Sequence, residues 1–321
     1  MNQSRAFLQF DSPGLVTTVQ DLGRPHHQSS GVPVSGAIDT ESFRIANLLV
    51  GNKMDAAAVE VTMIGPRCTV LADALVGYAG ANLGLLVNGT RVEPFSSVGL
   101  KRGDQILWGQ RVSGARSYLA VAGGLDVPEV LGSRSTCLRG GFGGHCGRAL
   151  RATDILHCFG AATAADFITR SIPEERERTR RDSAVRVVLN RDVVAELSGG
   201  WKSVESVQFK LSHRSDRMGC RLEGPKLLRH SDPSASPISA AMPVGAVQLP
   251  PDGVPIILMA DRQTIGGYPL LGVVASVDLP AVAQLAPGDP IRLTAISLEL
   301  AEELYCEREK QLRFSAQVLI Y

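Results

Sequence analysis

Short apolar runs, each closed by a turn, constrain this chain more than any other feature. Cys68-Thr69-Val70-Leu71, Ala74-Leu75-Val76-Gly77-Tyr78 and Gly84-Leu85-Leu86-Val87 follow one another with only turn residues or a few others between them. Runs that short cannot close a helix of useful length, and their apolar or alternating pattern reads as strands. Asn88-Gly89 separates Leu85-Leu86-Val87 from Thr90-Arg91-Val92, and predicts a hairpin, because both central positions of a type I′ turn need φ > 0. Lys101-Arg102-Gly103-Asp104 is a second turn, feeding Gln105-Ile106-Leu107-Trp108, and Ser117-Tyr118-Leu119-Ala120-Val121-Ala122 is a further strand ended by Gly123-Gly124. Strands of this length and frequency fit a barrel or a sandwich.

Composition supports that class. The chain holds 33 glycines, while aromatics make up 5%, a balance that favours turn-rich β architecture over long helices. Its 321 residues suggest two domains at about 150 residues each. The division is placed at a charge run, Glu174-Glu175-Arg176-Glu177-Arg178-Thr179-Arg180-Arg181-Asp182, which has no apolar face to bury. The expected organisation is a first β domain over residues 1–170, a linker over 171–184 and a second β domain over 185–321. The second half restarts on the strand Val185-Arg186-Val187-Val188-Leu189 and reaches Pro287-Gly288-Asp289-Pro290-Ile291-Arg292-Leu293. That ending echoes Arg102-Gly103-Asp104-Gln105-Ile106-Leu107 and hints at a duplicated unit. Residues 297–311, with Leu298, Leu300, Ala301, Leu304 and Tyr305, read as an amphipathic helix that caps the domain or meets another subunit.

Several function classes fall away. Net charge is +1, with no basic stripe interleaved with aromatics, so nucleic acid is not an expected partner. No run of about 18 apolar residues predicts a membrane helix, and the N-terminal stretch has no apolar core of signal-peptide length. The six cysteines form no C-x-x-C pair and are read as reduced thiols of a cytoplasmic protein. The histidines are scattered, no metal site is expected, and neither a G-x-S-x-G elbow nor a Walker P-loop is present.

Four stretches carry candidate chemistry. Residues 16–52 are irregular, charged and punctuated by Gly31-Val32-Pro33 and Ser35-Gly36; backbone of that kind tends to be functional where a rigid scaffold holds it. Within it Asp39 is a candidate N-cap and Gly51 a C′ residue of a helix. Phe43, Ala46, Leu49 and Val50 form its apolar face, and Thr40, Arg44 and Asn47 a polar wedge. That wedge is either a solvent face or the wall of a site beside Gln20-Asp21-Leu22-Gly23-Arg24, where Arg44 grips a carboxylate or phosphate and Asn47 reads an amide. The second stretch joins Gly132-Ser133-Arg134-Ser135-Thr136 to Leu138-Arg139-Gly140-Gly141-Phe142-Gly143-Gly144, as an oxyanion cradle or as a cluster of turns. The third contains Ser215-Asp216-Arg217-Met218-Gly219-Cys220. In the fourth, the strand Ile256-Ile257-Leu258-Met259 exits into Ala260-Asp261-Arg262-Gln263, which reads equally as ligand contacts or as a buried Asp–Arg pair fixing the loop.

The words TTVQDLGR, GVPVSGAIDTESFRIANLLVGN, YLAVAGGLDVPEVLGSRST, LRGGFGG, SDRMGCRLEGP and ADRQTIGGYP occur in an order that resembles the KipA family, which includes the 5-oxoprolinase C-subunits and the second subunit of allophanate hydrolase. The same module resembles part of the carboxyltransferase domain of urea carboxylase. The resemblance implies tandem cyclophilin-like β-barrels, a smaller KipI-like subunit as partner, and, for the whole assembly, ATP-dependent opening of 5-oxoproline to glutamate. Carried over by motif, it implies catalytic roles for Asp39, Arg44, Asp261, Arg262 and Gln263. It implies substrate contacts at Gln20, Asp21, Arg24, Ser35, Asn47, Arg134, Arg139, Asp216 and Arg217. The opening stretch and Asp261-Arg262-Gln263 are then expected as two walls of one site. Two alternatives stay open: a carboxyltransferase acting on urea-like substrates with a biotin carrier, and a regulator that binds a KipI-like kinase inhibitor without catalysis. The sequence departs from the family's pattern at Leu270, where a Lys or Arg follows Tyr-Pro, and at Leu189-Asn190-Arg191-Asp192, where Gly-Pro-Gln is usual.

Overall fold

The structure is a computed structural model that describes residues 4–160, 170–171, 184–230 and 239–320. The charge run at 174–182, read as a linker, lies outside the described residues. The chain divides into two compact units: residues 1–24, 35–178 and 312–321 make the first, and residues 25–34 and 179–311 the second. The expected mainly-β class with short helices is what the chain forms.

Strands of the first unit run β1 (Ser4–Ser12), β2 (Val16–Gln20), β3 (Ala58–Thr62), β4 (Arg67–Val70), β5 (Ala74–Asn82), β6 (Leu85–Val87), β7 (Thr90–Arg91), β8 (Ser96–Leu100), β9 (Gln105–Trp108), β10 (Ser113–Val121), β11 (Leu125–Asp126) and β12 (Ile155–Phe159). They build a seven-stranded sheet, β11-β12-β1-β4-β9-β6-β7, and a five-stranded one, β2-β3-β10-β5-β8. The Asn88-Gly89 hairpin is present, with φ of 49° and 81° at its two central residues, as a type I′ turn requires.

The period of two in a strand explains why both faces of the five-stranded sheet are buried. Val59, Val61, Leu119 and Val121 join one apolar cluster with Phe10, Ile106 and Leu156 of the other sheet. Their neighbours Ala58, Tyr118 and Ala120 point the other way, against helix α1 (Thr40–Leu49). That helix buries Phe43, Ala46 and Leu49, each large side chain contributing about 1.5–3 kcal/mol. It begins at Asp39, whose carboxylate accepts from the Glu41 and Ser42 amides. It ends in a Schellman pair, Gly51 N to Leu48 O at 3.0 Å and Asn52 N to Asn47 O at 3.0 Å, with Gly51 at φ 73°.

The second unit holds β13 (Val185–Leu189), β14 (Phe209–Leu211), β15 (Gly219–Glu223), β16 (Ala240–Ala241), β17 (Ala246–Gln248), β18 (Ile256–Leu258), β19 (Ile265–Gly266), β20 (Leu270–Val274), β21 (Pro290–Ile291) and β22 (Leu293–Ile296). Its main sheet has eight strands in the order β21-β14-β15-β18-β17-β20-β13-β22. The two outermost strands, β21 and β22, are separated in sequence by Arg292 alone. A sheet whose edges are joined by one residue must curl into a nearly closed barrel, which protects its edges. The C-terminal helix, Leu298–Ile320, is longer than expected. Ala301 and Leu304 pack on Val188 and Ile296, whereas Leu298, Leu300 and Tyr305, expected on its apolar face, are exposed.

The echo between the halves is a shared turn. In the first unit the Lys101 amide donates to the Asp104 carboxylate at 2.7 Å, Gly103 N donates to Val70 O and Val70 N to Asp104 O. In the second, Ala286 N donates to the Asp289 carboxylate at 2.8 Å, Gly288 N to Leu211 O and Leu211 N to Asp289 O. Arg151-Ala152-Thr153-Asp154 repeats the arrangement against Phe10. Its third position is Thr153 at φ 72°, where the other two turns place glycine.

Candidate functional site

In the first unit the candidate residues gather at the end of β2 and the start of α1. Asp21 is the hub. Its carboxylate accepts from Gly23 N at 2.7 Å, from Ser133 Oγ at 2.7 Å, from Arg134 N at 2.5 Å and from Ser135 Oγ. Asp21 N in turn donates to Ser135 Oγ at 2.9 Å. These bonds tie the loop 133–135 to the loop 20–24, about one hundred residues away in sequence. A carboxylate has about four acceptor positions, and donors of this chain occupy them. Asp21, expected to contact substrate, therefore organises the two loops.

Arg24 is fully buried. Nε reaches Val130 O at 3.4 Å, Nη2 donates to Ser135 O, and the guanidinium lies 5.0 Å over the Phe142 ring, a cation–π placement. The glycine-rich loop packs on it: a Cβ on Gly143 would stand 2.2 Å from Ser135 O and 2.8 Å from Arg24 Nη2. Within that loop Gly141 N donates to Cys137 O and Gly147 N to Gly143 O. Its glycines thus allow close approach of the chain to itself.

A second buried group lies beside it on the face of the five-stranded sheet. Tyr118 OH donates to Glu60 Oε2 at 2.8 Å and accepts from Asp39 N at 2.9 Å, while Glu60 Oε2 also accepts from Ile38 N at 3.0 Å. Burial, and then the charges of Glu60 and Asp39, raise the Tyr118 hydroxyl well above its ordinary pKa, so it stays a donor. Asp39 spends its carboxylate on Glu41 N, Ser42 N and Ser42 Oγ. The sequence reading missed Glu60 and Tyr118, and it placed Ser133 and Ser135 in an oxyanion cradle or a cluster of turns, whereas their hydroxyls bind Asp21. A lone glutamate inside Ala58-Val59-Glu60-Val61-Thr62 was the available signal, since a charge amid strand apolars needs a partner.

The remaining first-unit candidates divide. Asn47 is buried and its amide is bound by Ala56 O at 2.8 Å and Asn52 Nδ2 at 2.9 Å; it fixes the helix end. Arg44 is half-buried on α1. Gln20 donates through Nε2 to Thr18 Oγ1 at 2.9 Å and Thr136 O at 3.3 Å, leaving Oε1 without a donor. Ser35 is buried at φ 56°, and its hydroxyl has no partner. Arg134 donates to Val127 O and meets Glu129 at 3.3 Å, and Arg139 is exposed.

In the second unit Arg217 and Asp261 form a buried two-pronged pair, Nε to Oδ2 at 2.8 Å and Nη2 to Oδ1 at 3.2 Å, with exposures of 8% and 3%. The buried Asp–Arg pair read at the strand exit exists, and the arginine comes from position 217. Arg262 is 9% exposed, and its Nε donates to Met242 O at 2.8 Å, its Nη1 to Met259 O at 3.4 Å. Both acceptors are neutral carbonyls, and burial lowers the guanidinium's pKa. Gln263 donates to Gln248 Oε1 at 3.3 Å. Asp216 is exposed and closes a turn on Met218 N and Gly219 N. Among the described residues no cluster of His, Cys, Asp and Glu suits a metal ion, and no helix is long and apolar enough to cross a membrane.

Gln20 to Arg24 and Ser35 to Asn47 belong to the first unit, Asp261 to Gln263 to the second. Both centres hold buried charge: in the first, Asp21 is ringed by donors and Arg24 lies against Val130 O, Ser135 O and the Phe142 ring, and in the second Arg262 lies against the Met242 and Met259 carbonyls.

Comparison with known proteins places the chain. Residues 30–295 match the family described as carboxyltransferase domain, subdomain A and B. The 5-oxoprolinase C-subunit of Escherichia coli is 35% identical over 305 residues, covering 95% of each chain. The urea amidolyase of Lachancea kluyveri is 32% identical over 316 residues, which cover 91% of this chain and 17% of that one. The crystal structure of the K. lactis urea amidolyase superposes with a TM-score of 0.88 at 29% identity, over 98% of this chain and 20% of that chain.

Proposed function

The chain belongs to the carboxyltransferase-domain family, subdomains A and B, and on that premise we propose that it serves as the C-subunit of a 5-oxoprolinase-type assembly. One observation carries the reading: the match to the E. coli 5-oxoprolinase C-subunit runs at 35% identity over 95% of both chains, so the likeness extends through both units. The reaction adds water across the lactam of 5-oxoproline. The ring C–N bond breaks, the nitrogen leaves as the amine of glutamate, and the carbonyl carbon becomes its second carboxylate.

In this proposal Arg262 takes the negative charge that develops on the lactam oxygen. A guanidinium held by neutral carbonyls in a desolvated place favours an oxyanion most strongly. Gln263, half-buried next to it in sequence, orients the ring amide. Arg44 is the first unit's candidate for an anionic group. Asp261 and Arg217 fix the loop that carries Arg262, and Asp21 and Asp39 hold the loops of the first unit; these four are positioning residues. ATP is a substrate of such an assembly. Within the glycine-rich loop 138–147 the Gly141 and Gly147 amides are bonded to the loop's own carbonyls, and in this proposal the nucleotide sits on the smaller, KipI-like partner. The test is to purify the chain with that partner and measure ATP-dependent release of glutamate from 5-oxoproline. An intact complex without turnover would sink the reading.

A second reading has its own support in the urea amidolyase of L. kluyveri at 32% identity. Here the chain would be part of a carboxyltransferase acting on a urea-like amide, and turnover would depend on a biotinylated carrier.

A further inference from the structure

We propose that a pocket of the second unit, walled by the loops 249–253 and 267–269, binds a small carboxylic acid with a compact apolar body, its carboxylate on Lys226. This goes beyond the lactam reaction and does not rest on it.

The pocket is preformed. Leu249, Pro250, Pro251, Tyr268 and Pro269 make its apolar wall, and its volume is about 130 Å³. That is room for a small ring or a short branched chain. Three backbone bonds lock the loops: Leu227 N to Gly253 O at 2.8 Å, Leu249 N to Pro269 O at 2.9 Å and Gly253 N to Pro250 O at 3.0 Å. Gly253 is needed for that closure, since it lies at φ 77° and a Cβ there would approach Leu227 O to 3.0 Å. Prolines and closed loops leave little conformational freedom to lose on binding.

Charge selects the ligand. Three charged groups line the pocket: Lys226, Arg229 and Asp252. Arg229 is occupied, because Nε and Nη2 both donate to Glu196 Oε2. Asp252 accepts from Val254 N at 3.1 Å, which leaves it negative and repels an anion on its own side. Lys226 is exposed and makes no ion pair among the described residues. One available cation at the rim of an apolar, rigid pocket is the pattern of a site that orients an amphiphilic anion. Arg262 is not part of the lining.

The full chain is titrated with cyclopentanecarboxylate and, separately, with cyclopentylamine, following amide resonances by NMR. The carboxylate is expected to shift residues 249–253 and 267–269 saturably, with a dissociation constant on the order of 1 mM, and the amine is not. Lys226→Gln, a change at an exposed position, should weaken binding about tenfold, the loss of one charge-assisted hydrogen bond. Asp252→Asn should tighten it by removing repulsion. Equal binding by wild type and Lys226→Gln, preference for the amine, or shifts confined to other residues would each overturn the proposal. Glutamate release by the complex is a separate readout, so either idea can fail without the other.

Discussion

Asp21 and Arg262 are both buried charges in loops that leave a strand, and the chain treats them in opposite ways. Around Asp21 four donors of the protein fill the carboxylate, so its charge is used up in holding two loops together. Around Arg262 two carbonyls take part of the guanidinium, which has five N–H donors to offer. Its neighbour Arg217 has the acid, in the form of Asp261. The two charges differ in how much bonding capacity the fold leaves over, and that difference can be tested.

The largest effect expected tests the structural half. Asp261→Ala would leave Arg217 buried without its carboxylate, which costs about 3–5 kcal/mol. Urea unfolding should show that loss in the midpoint, and glutamate release per folded molecule should fall as well, because the pair fixes the loop that carries Arg262. If stability is unchanged, the pair is not what fixes the loop. Arg262→Gln is next. Turnover of the complex is expected to drop about 10²–10³-fold, the size seen when one oxyanion donor is removed, with a far smaller change in stability. Equal losses of stability and turnover would place Arg262 with Asp261 as scaffold.

Asp21→Asn sharpens the other side. The amide keeps one acceptor oxygen and presents an NH2 where a donor already stands, so about 1–3 kcal/mol should be lost. Loops 20–24 and 133–135 should gain amide exchange together, because Asp21 ties them. Exchange in one loop alone would mean that the other is held from elsewhere.

How much of this was legible in the sequence follows from the distance over which each signal acts. The Asn88-Gly89 hairpin, the Asp39 cap and Gly51 are local conformational demands, and the sequence states them directly. The Gly-Asp echo was also local, and it marks the same turn in both units. What stayed hidden depends on partners far along the chain. Asp21 reads like a ligand contact until Ser133 and Ser135 arrive on its carboxylate. Asp261 stands beside Arg262 in sequence yet binds Arg217, 44 residues earlier. Tyr118 looked like one more core residue, and only the strand register, which sets it opposite Glu60, reveals the buried polar pair. Asn47 shared a helical wedge with Arg44, but the Ala56 carbonyl claims it. Periodicity gives a face; it does not say what lies against that face.

The smallest expected effect concerns a carboxylate answered by a cation near the surface, which the contrast predicts to be strongly pH-dependent. Asp154 is bound two-pronged by Arg148, at 2.6 and 2.8 Å. The Arg148 bond, with help from the Arg151 amide and His145, pulls the carboxyl down from 3.8 to about 2. Because the folded value lies below the unfolded one, this stabilisation is complete above about pH 4 and fades as pH falls toward 2. Arg148→Gln should therefore lower the urea midpoint at neutral pH and converge on wild type near pH 2. A difference that persists unchanged at pH 2 would show that Arg148 acts through packing of its stem, and Asp154 would then join Asp21 as a carboxylate held by neutral donors, here the Arg151 amide at 2.7 Å.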